Sequence, residues 1–187
     1  MIVLATDGGC SRSEARAQIR LAVRQVLARL LARSLEQIVL TSTPGQAPVI
    51  VIEGVQRQDN SCGIGLSISH EAGLSLAAIN LHGPIGVDLM RVPQASAQDN
   101  WSDLLLLARD YLGPACAARL AGVAPQLRRT AFASAWTAHE ASLKCRGLGL
   151  AEWCAALPLV VLQIAALDLP APFIGSVAMP AGPEGAA

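Results

Sequence analysis

Two long stretches with helical periodicity, residues 12–34 and about 126–146, are each followed by short segments that read as strands. In the first stretch, apolar residues recur every three or four positions while arginines occupy the opposite face, as expected for a helix lying on a core. Ser11 or Ser13 can cap its beginning, and Gly147 can end the second stretch. Because both halves repeat helix and then strands, the sequence predicts an α+β fold of two similar lobes.

The segments between the two long helices are rich in aliphatic residues and are separated by turn-forming residues, which is typical of strands. We predict five such strands: "QIVL", "PVIVIE", "IGLSIS", "LSLAAI" and "IGVDL". The third and fourth are joined across Glu71–Gly73. Further elements are predicted as helices near 98–112 and 115–121 and strands near 159–167 and 173–178. These elements predict an N-terminal lobe at 1–92, a C-terminal lobe at 93–179 and a flexible tail at 180–187.

The composition indicates a folded protein, since 52% of the 187 residues are hydrophobic and the mean hydropathy is +0.44. The longest apolar run, "LPLVVLQIAALDLPAPFI", is interrupted by Gln163 and Asp168 and is shorter than the roughly 20 residues of a membrane helix. We interpret it as a buried strand.

The start "MIVLATDGGC" reaches Asp7 too early for a secretion signal. Five cysteines without a C-x-x-C pair argue against a disulfide framework and a zinc ribbon. We therefore expect a cytoplasmic protein that does not bind membranes.

The basic residues are unusual, because thirteen of the fourteen are arginine and the single lysine is Lys144. Six arginines against two acidic residues make positions 1–35 locally basic, although the net charge of the chain is zero. This segment could steer an acidic partner or could be a solvated charged face. The neutral net charge and only six aromatic residues argue against nucleic acid as a partner.

The stretch "WTAHEASLKCRGLGL" places His139, Glu140 and Lys144 on the second long helix. At about 100° per residue, Glu140 and Lys144 are neighbours at the border of an apolar stripe that contains His139. They could form a surface ion pair, with His139 in the core, or they could be the edge of an active site. A zinc-protease motif is excluded, because Leu143 stands where H-E-x-x-H requires histidine.

Two other segments offer polar groups that could join this helix. In "GPIGVDLMRV" the alternation of apolar residues points Asp88 away from the buried face, and Gly86 is expected to leave open space beside it. Asp88 and Glu140 could together hold Mg²⁺, which prefers oxygen ligands. In "SISHEAG" a strand ends at Ser69 and His70, where ligand-binding groups are common, although a lone histidine beside a turn is often structural.

Taken in order, "SISHEAG", "PIGVDLM" and "FASAWTAHEASLKCRGLGL" resemble the motif series of the 4′-phosphopantetheinyl transferase superfamily, in its larger, monomeric surfactin-synthetase-activating branch. The resemblance spans about residues 67–150, and it is weaker over the arginine helix and "TPGQAPVI" before it. It implies two pseudo-twofold-related lobes, each a small antiparallel sheet packed with a long helix. It also implies that coenzyme A and Mg²⁺ bind in the cleft between the lobes of a monomer.

The resemblance further implies a reaction. A serine hydroxyl of an acyl or peptidyl carrier protein attacks the β-phosphate of coenzyme A, which transfers phosphopantetheine and releases adenosine 3′,5′-bisphosphate. Such carriers serve fatty acid, polyketide and nonribosomal peptide synthesis. In this resemblance Asp88 and Glu140 hold Mg²⁺, and Glu140 or a water that it orients takes the serine proton. Lys144 neutralises or protonates the departing phosphate, a task for which an ammonium suits better than a guanidinium.

By the same resemblance, five residues contact the coenzyme: Ser69, His70, His139, Lys144 and an N-terminal arginine such as Arg16. The sequence departs from the family pattern at three points. His139 replaces a lysine before the glutamate, so that the charge of this coenzyme-binding position would depend on pH. Met90 stands where many relatives carry a third acidic ligand, and "GQAP" lacks the lysine of a common G-K-P turn. The alternatives are therefore a degenerate coenzyme A- or carrier-binding protein of the same fold, and a plain interaction module.

Overall fold

The computed structural model describes residues 1–7, 11–43, 46–54, 63–92, 101–155 and 161–181. Its strands are β1 (Ile2–Asp7), β2 (Ile38–Thr41), β3 (Val49–Ile52), β4 (Gly65–Glu71), β5 (Leu74–Asn80), β6 (Gly86–Arg91), β7 (Leu162–Leu167) and β8 (Phe173–Pro180). Its helices are α1 (Arg12–Leu30), α2 (Trp101–Leu107), α3 (Pro114–Ala121) and α4 (Arg128–Cys145), with a π-helical turn at Ala108–Leu112 and a 3-10 turn at Pro125–Leu127. The α+β class is confirmed, with antiparallel pairing in every sheet described.

The five strands predicted between the long helices are confirmed to within two residues at each end. β1 was not predicted, because its stability depends on pairing with β5, about 70 positions later in the chain. The predicted helix near 98–112 is divided between α2 and the π-helical turn, and residues 98–100 lie outside the described residues.

Helix α1 lies on the first sheet, whose strand order is β1, β5, β4. It begins at the predicted cap, since the hydroxyl of Ser11 accepts from the Glu14 backbone N–H at 3.2 Å and the Glu14 carboxylate accepts from the Ser11 N–H at 2.9 Å. Three side chains of α1 are completely buried on the sheet: Ile19, Val23 and Leu27. This apolar row fixes the helix over the sheet.

The two faces of β4 serve different parts of the molecule. Ile68 packs toward the α1 core, and His70, two positions on, shares that face. Ser67 and Ser69 face the other way, toward β6, where the Ser67 hydroxyl accepts from the backbone N–H of Val87 at 3.0 Å. Neighbouring residues of one predicted motif, Ser69 and His70, therefore point to opposite sides of the sheet.

Helix α4 lies on the second sheet, whose strand order is β6, β8, β7. The expectation of open space beside Gly86 is wrong, because a Cβ there would lie 1.9 Å from the carbonyl oxygen of Ala141 and 2.5 Å from the nitrogen of Cys145. The missing side chain instead lets the α4 backbone touch β6. A hydrogen bond of 3.0 Å between the buried hydroxyls of Thr137 and Ser176 ties α4 to β8 as well.

β7 lies at the edge of this second sheet and pairs with β8. The apolar run that contains it was interpreted as a buried strand. The strand is confirmed, but the burial is wrong, since four of its six residues are exposed, among them Ile164 at 49%. Helix α4 packs mainly over β6 and β8, so β7 receives little cover.

Each predicted lobe contains one long helix, α1 in the first and α4 in the second. The twofold relation between the lobes and their boundary at residue 92 stay predictions. β6 belongs to the first predicted lobe by position in the chain, yet it pairs with β8 of the second sheet. Pro180 ends β8, and residues 182–187 of the predicted tail lie outside the described residues.

In the described ranges no helix is both long and apolar enough to cross a membrane.

Three of the five cysteines fall within the described ranges: Cys116 and Cys145 are buried thiols, and Cys154 is exposed. Cys10 and Cys62 lie outside the described residues.

Candidate active site

Lys144 lies at the centre of a polar cluster between α4, β6 and β4. Its ammonium donates to Oδ1 of Asp88 at 2.7 Å, to the carbonyl oxygen of Val87 at 3.2 Å and to the hydroxyl of Ser69 at 3.4 Å. The Ser69 hydroxyl in turn donates to the same Oδ1 at 3.0 Å. Three residues that are distant in the chain thus form one closed network.

The interpretation of Glu140 and Lys144 as a surface ion pair on this helix is wrong. Among the described contacts, the ion pair of Lys144 is with Asp88, 56 positions earlier in the chain. Asp88 is buried, with 8% of the residue exposed, whereas the Lys144 side chain is 31% exposed, so only the carboxylate end of the pair is shielded from water. The contact depends on Gly86, because the close approach of α4 to β6 brings the Lys144 side chain within reach of Asp88.

Glu140 lies one helical turn before Lys144 and is half-buried. Burial raises the pKa of its carboxyl above the ordinary 4.5, the negative charge of Asp88 raises it further, and the positive charge of Lys144 opposes both. The two carboxylates therefore act on each other electrostatically, and each also interacts with the ammonium of Lys144. Such a pair is stabilised by an additional cation.

The donors of this site suit a hard cation, since Asp88 and Glu140 offer carboxylate oxygens that repel each other unless a positive charge lies between them. Met90 contributes no ligand, because its side chain packs into the apolar cluster around Phe132. Within the described ranges no group of three or more His, Cys, Asp or Glu side chains could hold a metal ion. Two protein ligands would leave most positions of a Mg²⁺ ion to water and substrate oxygens.

A cavity of about 510 Å³ lies beside α1 on the opposite face of β4. It is lined by Arg16, Arg20, Ser42, Thr43, Gln46, Pro48, Ile68 and His70. The pKa of His70 is lowered, first by burial and then by the positive charges of Arg16, Arg12 and Lys144. The structure therefore places Arg16 and His70 together at a cationic cavity that suits an anion.

Ser75 is a site residue that the sequence analysis missed. Its hydroxyl lies 2.8 Å from Nδ1 of His70, and the residue is completely buried. The signal was present, because a hairpin that turns at Ala72 and Gly73 pairs His70 with Ser75 across the strands.

His139 is not joined to the Lys144 cluster by any described hydrogen bond or ion pair. Its Nε2 is buried and has no hydrogen-bond partner in the part of the chain that the structure describes. The pKa of His139 is lowered by burial and by the nearby charge of Arg146, so the ring is neutral at neutral pH. His139 therefore gains the charge that was expected to depend on pH only at a pH further below neutral.

A second cavity, of about 580 Å³, begins at Lys144 and runs along the end of α4. Arg146 shares its lining with mostly apolar residues, among them Ile64, Leu66, Pro84 and Leu162. Lys144 therefore lies between a polar cluster and an apolar hollow.

Two comparisons with known proteins match this chain to one family. Residues 84–175, which contain β6 and α4, match the family model described as "4'-phosphopantetheinyl transferase superfamily". Over 133 residues the chain is 31% identical to a protein of Synechocystis sp. named "Putative 4'-phosphopantetheinyl transferase slr0495". The aligned segment covers 71% of this chain and 49% of that protein, so the chain spans about half the length of the curated relative it matches.

Proposed function

This chain belongs to the 4′-phosphopantetheinyl transferase superfamily, and on that premise we propose that it moves phosphopantetheine from coenzyme A to a serine of an acyl or peptidyl carrier protein. The serine oxygen forms a bond to the β-phosphorus, the bond to the bridging oxygen breaks, and adenosine 3′,5′-bisphosphate leaves. The observation that carries this proposal is the convergence of Lys144, Asp88 and Ser69 in one network, with Glu140 electrostatically coupled to it.

Asp88 and Glu140 are the residues that would hold Mg²⁺. When bound, this ion would neutralise the diphosphate of coenzyme A. Catalysis of this kind relies on positioning and charge rather than on a covalent intermediate.

Glu140 is assigned to the serine proton, directly or through a water molecule. This assignment rests on the position of Glu140 one helical turn before Lys144, because the raised pKa of its carboxyl describes the site without a metal and a bound Mg²⁺ would lower it. Lys144 is assigned to the departing phosphate, to which its ammonium can donate. Ser69 bridges Lys144 and Asp88 through its hydroxyl, which supports a role in holding both groups.

The cavity with His70 and Arg16 is assigned to a phosphate of the coenzyme, because positive charges and a neutral imidazole converge there. Arg20 and Arg24 are engaged differently, since their guanidinium groups donate to the backbone carbonyls of Leu40 and Ile38 on β2. The exposed arginines at the start of α1 are therefore the better candidates for steering an acidic carrier protein. We further propose a cytoplasmic monomer of the larger branch.

The experiment is incubation of the full chain with coenzyme A, Mg²⁺ and an apo carrier protein, followed by the intact mass of the carrier. We expect a gain of one phosphopantetheine, which Asp88→Asn abolishes. Glu36→Gln, a carboxylate change in an exposed loop, serves as the matched control and should retain the gain. No mass gain across a panel of acyl and peptidyl carriers would refute the transferase proposal.

A catalytically degenerate coenzyme A-binding protein is the second candidate. It is favoured by Met90, which packs among apolar side chains where many relatives carry an acidic ligand, and by the buried His139 in place of lysine. Calorimetric binding of coenzyme A together with an unchanged carrier mass would support it.

A further inference from the structure

A row of three polar side chains crosses the first sheet beneath the start of α1. Thr6 and Ser75 are paired across β1 and β5, and Ser75 and His70 are paired across β5 and β4. Directly paired residues of an antiparallel sheet place their side chains on the same face. Ser75 is therefore the central member of a row that ends at the His70 cavity.

The direction of the hydrogen bond between Ser75 and His70 follows from burial. Ser75 has no exposed surface, and the described contacts give its hydroxyl one partner, Nδ1 of His70 at 2.8 Å. If Nδ1 carried the proton and donated, the hydroxyl hydrogen of Ser75 would be buried without an acceptor, which costs free energy. If Ser75 donates, both groups are satisfied. Thr6 does not compete, because its buried Oγ1 has no hydrogen-bond partner in the described residues.

We propose that Ser75 is a positioning residue whose hydroxyl donates to Nδ1 of His70 and thereby holds the imidazole in the tautomer protonated on Nε2. That tautomer presents an N–H donor, rather than a lone pair, to a phosphate oxygen in the cavity lined by Arg16 and Arg20. The identity of this phosphate as one of coenzyme A rests on the proposed function, whereas the tautomer does not.

The surroundings of His70 make the choice of tautomer consequential. The positive charges of Arg16, Arg12 and Lys144, together with burial, lower its pKa, so the ring is neutral at neutral pH. A neutral ring has one donor and one acceptor nitrogen, and an acceptor aimed at a phosphate oxygen would be repulsive. A neutral His70 ring that donates from Nε2 can therefore bind phosphate without a positive charge of its own, which the neighbouring arginines would repel.

The direct test is the ¹⁵N–¹H spectrum of the histidine rings in the full chain, which reports which nitrogen carries the proton. The chain has three histidines, and His70→Gln identifies the signal of His70. We expect Nε2 protonated and Nδ1 unprotonated in the wild type, a mixture in Ser75→Ala, and no change in Thr6→Val, the matched control in the same row. A wild-type ring protonated on Nδ1, or an unaltered ring in folded Ser75→Ala, would overturn the proposal.

Affinity for coenzyme A provides a second test, in which variants of His70 are compared alongside Ser75→Ala. The amide nitrogen of glutamine lies near the position of Nε2 and that of asparagine near Nδ1, so His70→Gln should bind coenzyme A more tightly than His70→Asn. Ser75→Ala should raise KM for coenzyme A about 2- to 10-fold, the range for one hydrogen bond, with kcat unchanged. Equal affinity of the two His70 variants contradicts the inference. Failure of wild type to bind coenzyme A while the spectrum shows the Nε2 tautomer would refute the proposed function alone.

Discussion

At the scale of single residues, the position of Lys144 explains why a chain with thirteen arginines has one lysine there. A compact ammonium fits between the Asp88 carboxylate, the Val87 carbonyl and the Ser69 hydroxyl, which are its three acceptors. A guanidinium is larger and planar and would not reach the same three groups.

Replacing the ammonium while keeping the stem tests its role in stability. We predict that Lys144→Met lowers the free energy of unfolding by about 1–3 kcal/mol, because it leaves Asp88 buried and without its ion pair. Urea unfolding of both proteins measures the difference. Adding Asp88→Asn should recover part of the loss. A single variant as stable as the wild type would show that the ion pair contributes nothing.

His139 is the residue for which pH dependence separates a structural from a binding role. Its folded-state pKa lies below the ordinary 6.5, so the unfolded chain takes up the proton more readily. The stability of the wild type should therefore be complete above pH 6.5 and should fall as the pH drops below it toward the folded-state value. We predict that His139→Leu reduces this loss without abolishing it, because the lowered pKa of His70 contributes the remainder. The variant should also raise the unfolding free energy by about 1 kcal/mol at neutral pH, since a buried nitrogen without a partner disappears.

The measurement is urea unfolding at a series of pH values, with the exposed His82→Gln as control. If His139→Leu follows the same pH profile as the wild type, His139 is not the source of the loss. If the variant also loses affinity for coenzyme A, the coenzyme-binding role expected from the sequence is supported.

At the scale of elements, the contact between α4 and β6 depends on the absence of a side chain at Gly86. We predict that Gly86→Ala destabilises the protein by about 1–3 kcal/mol or more, because the added Cβ meets the backbone at Ala141 and Cys145, and backbone atoms cannot rotate away. Transfer activity should fall as well, because α4 carries Glu140 and Lys144. Gly149→Ala is the matched control, since no atom lies within 4 Å of the Cβ there. Thermal unfolding that is unchanged in Gly86→Ala would contradict the close approach.

Elements stabilised by local signals were predictable, and elements stabilised by distant partners were not. The hairpin after His70 and the cap at Ser11 depend on neighbours within four positions, and both are confirmed. The stability of β1 depends on its pairing with β5, and the exposure of β7 depends on which strands α4 covers. Neither could be predicted from the periodicity of the sequence. Gly86 shows the same limit, because its sequence context could not distinguish open space from a helix packed against it.

At the scale of the whole molecule, the residue types of the candidate site were predictable, but their pairing was not. A helical wheel gives neighbours within α4, and it therefore paired Lys144 with Glu140. The fold instead brings Lys144 to Asp88, and it turns Ser69 and His70 to opposite faces of β4. The cationic cavity and the carboxylate cluster thus lie on two sides of one strand, an arrangement that a diphosphate with further phosphate groups could span.

The central claim is that Asp88 and Glu140 act as one unit in phosphopantetheinyl transfer. The most direct measurement is the transfer rate of Asp88→Asn, Glu140→Gln and the double variant, from carrier mass against time in the presence of coenzyme A and Mg²⁺. The account predicts that each single variant is about as slow as the double variant, because residues that act together are not additive. Losses that multiply in the double variant, or a single variant that keeps the wild-type rate, would contradict it.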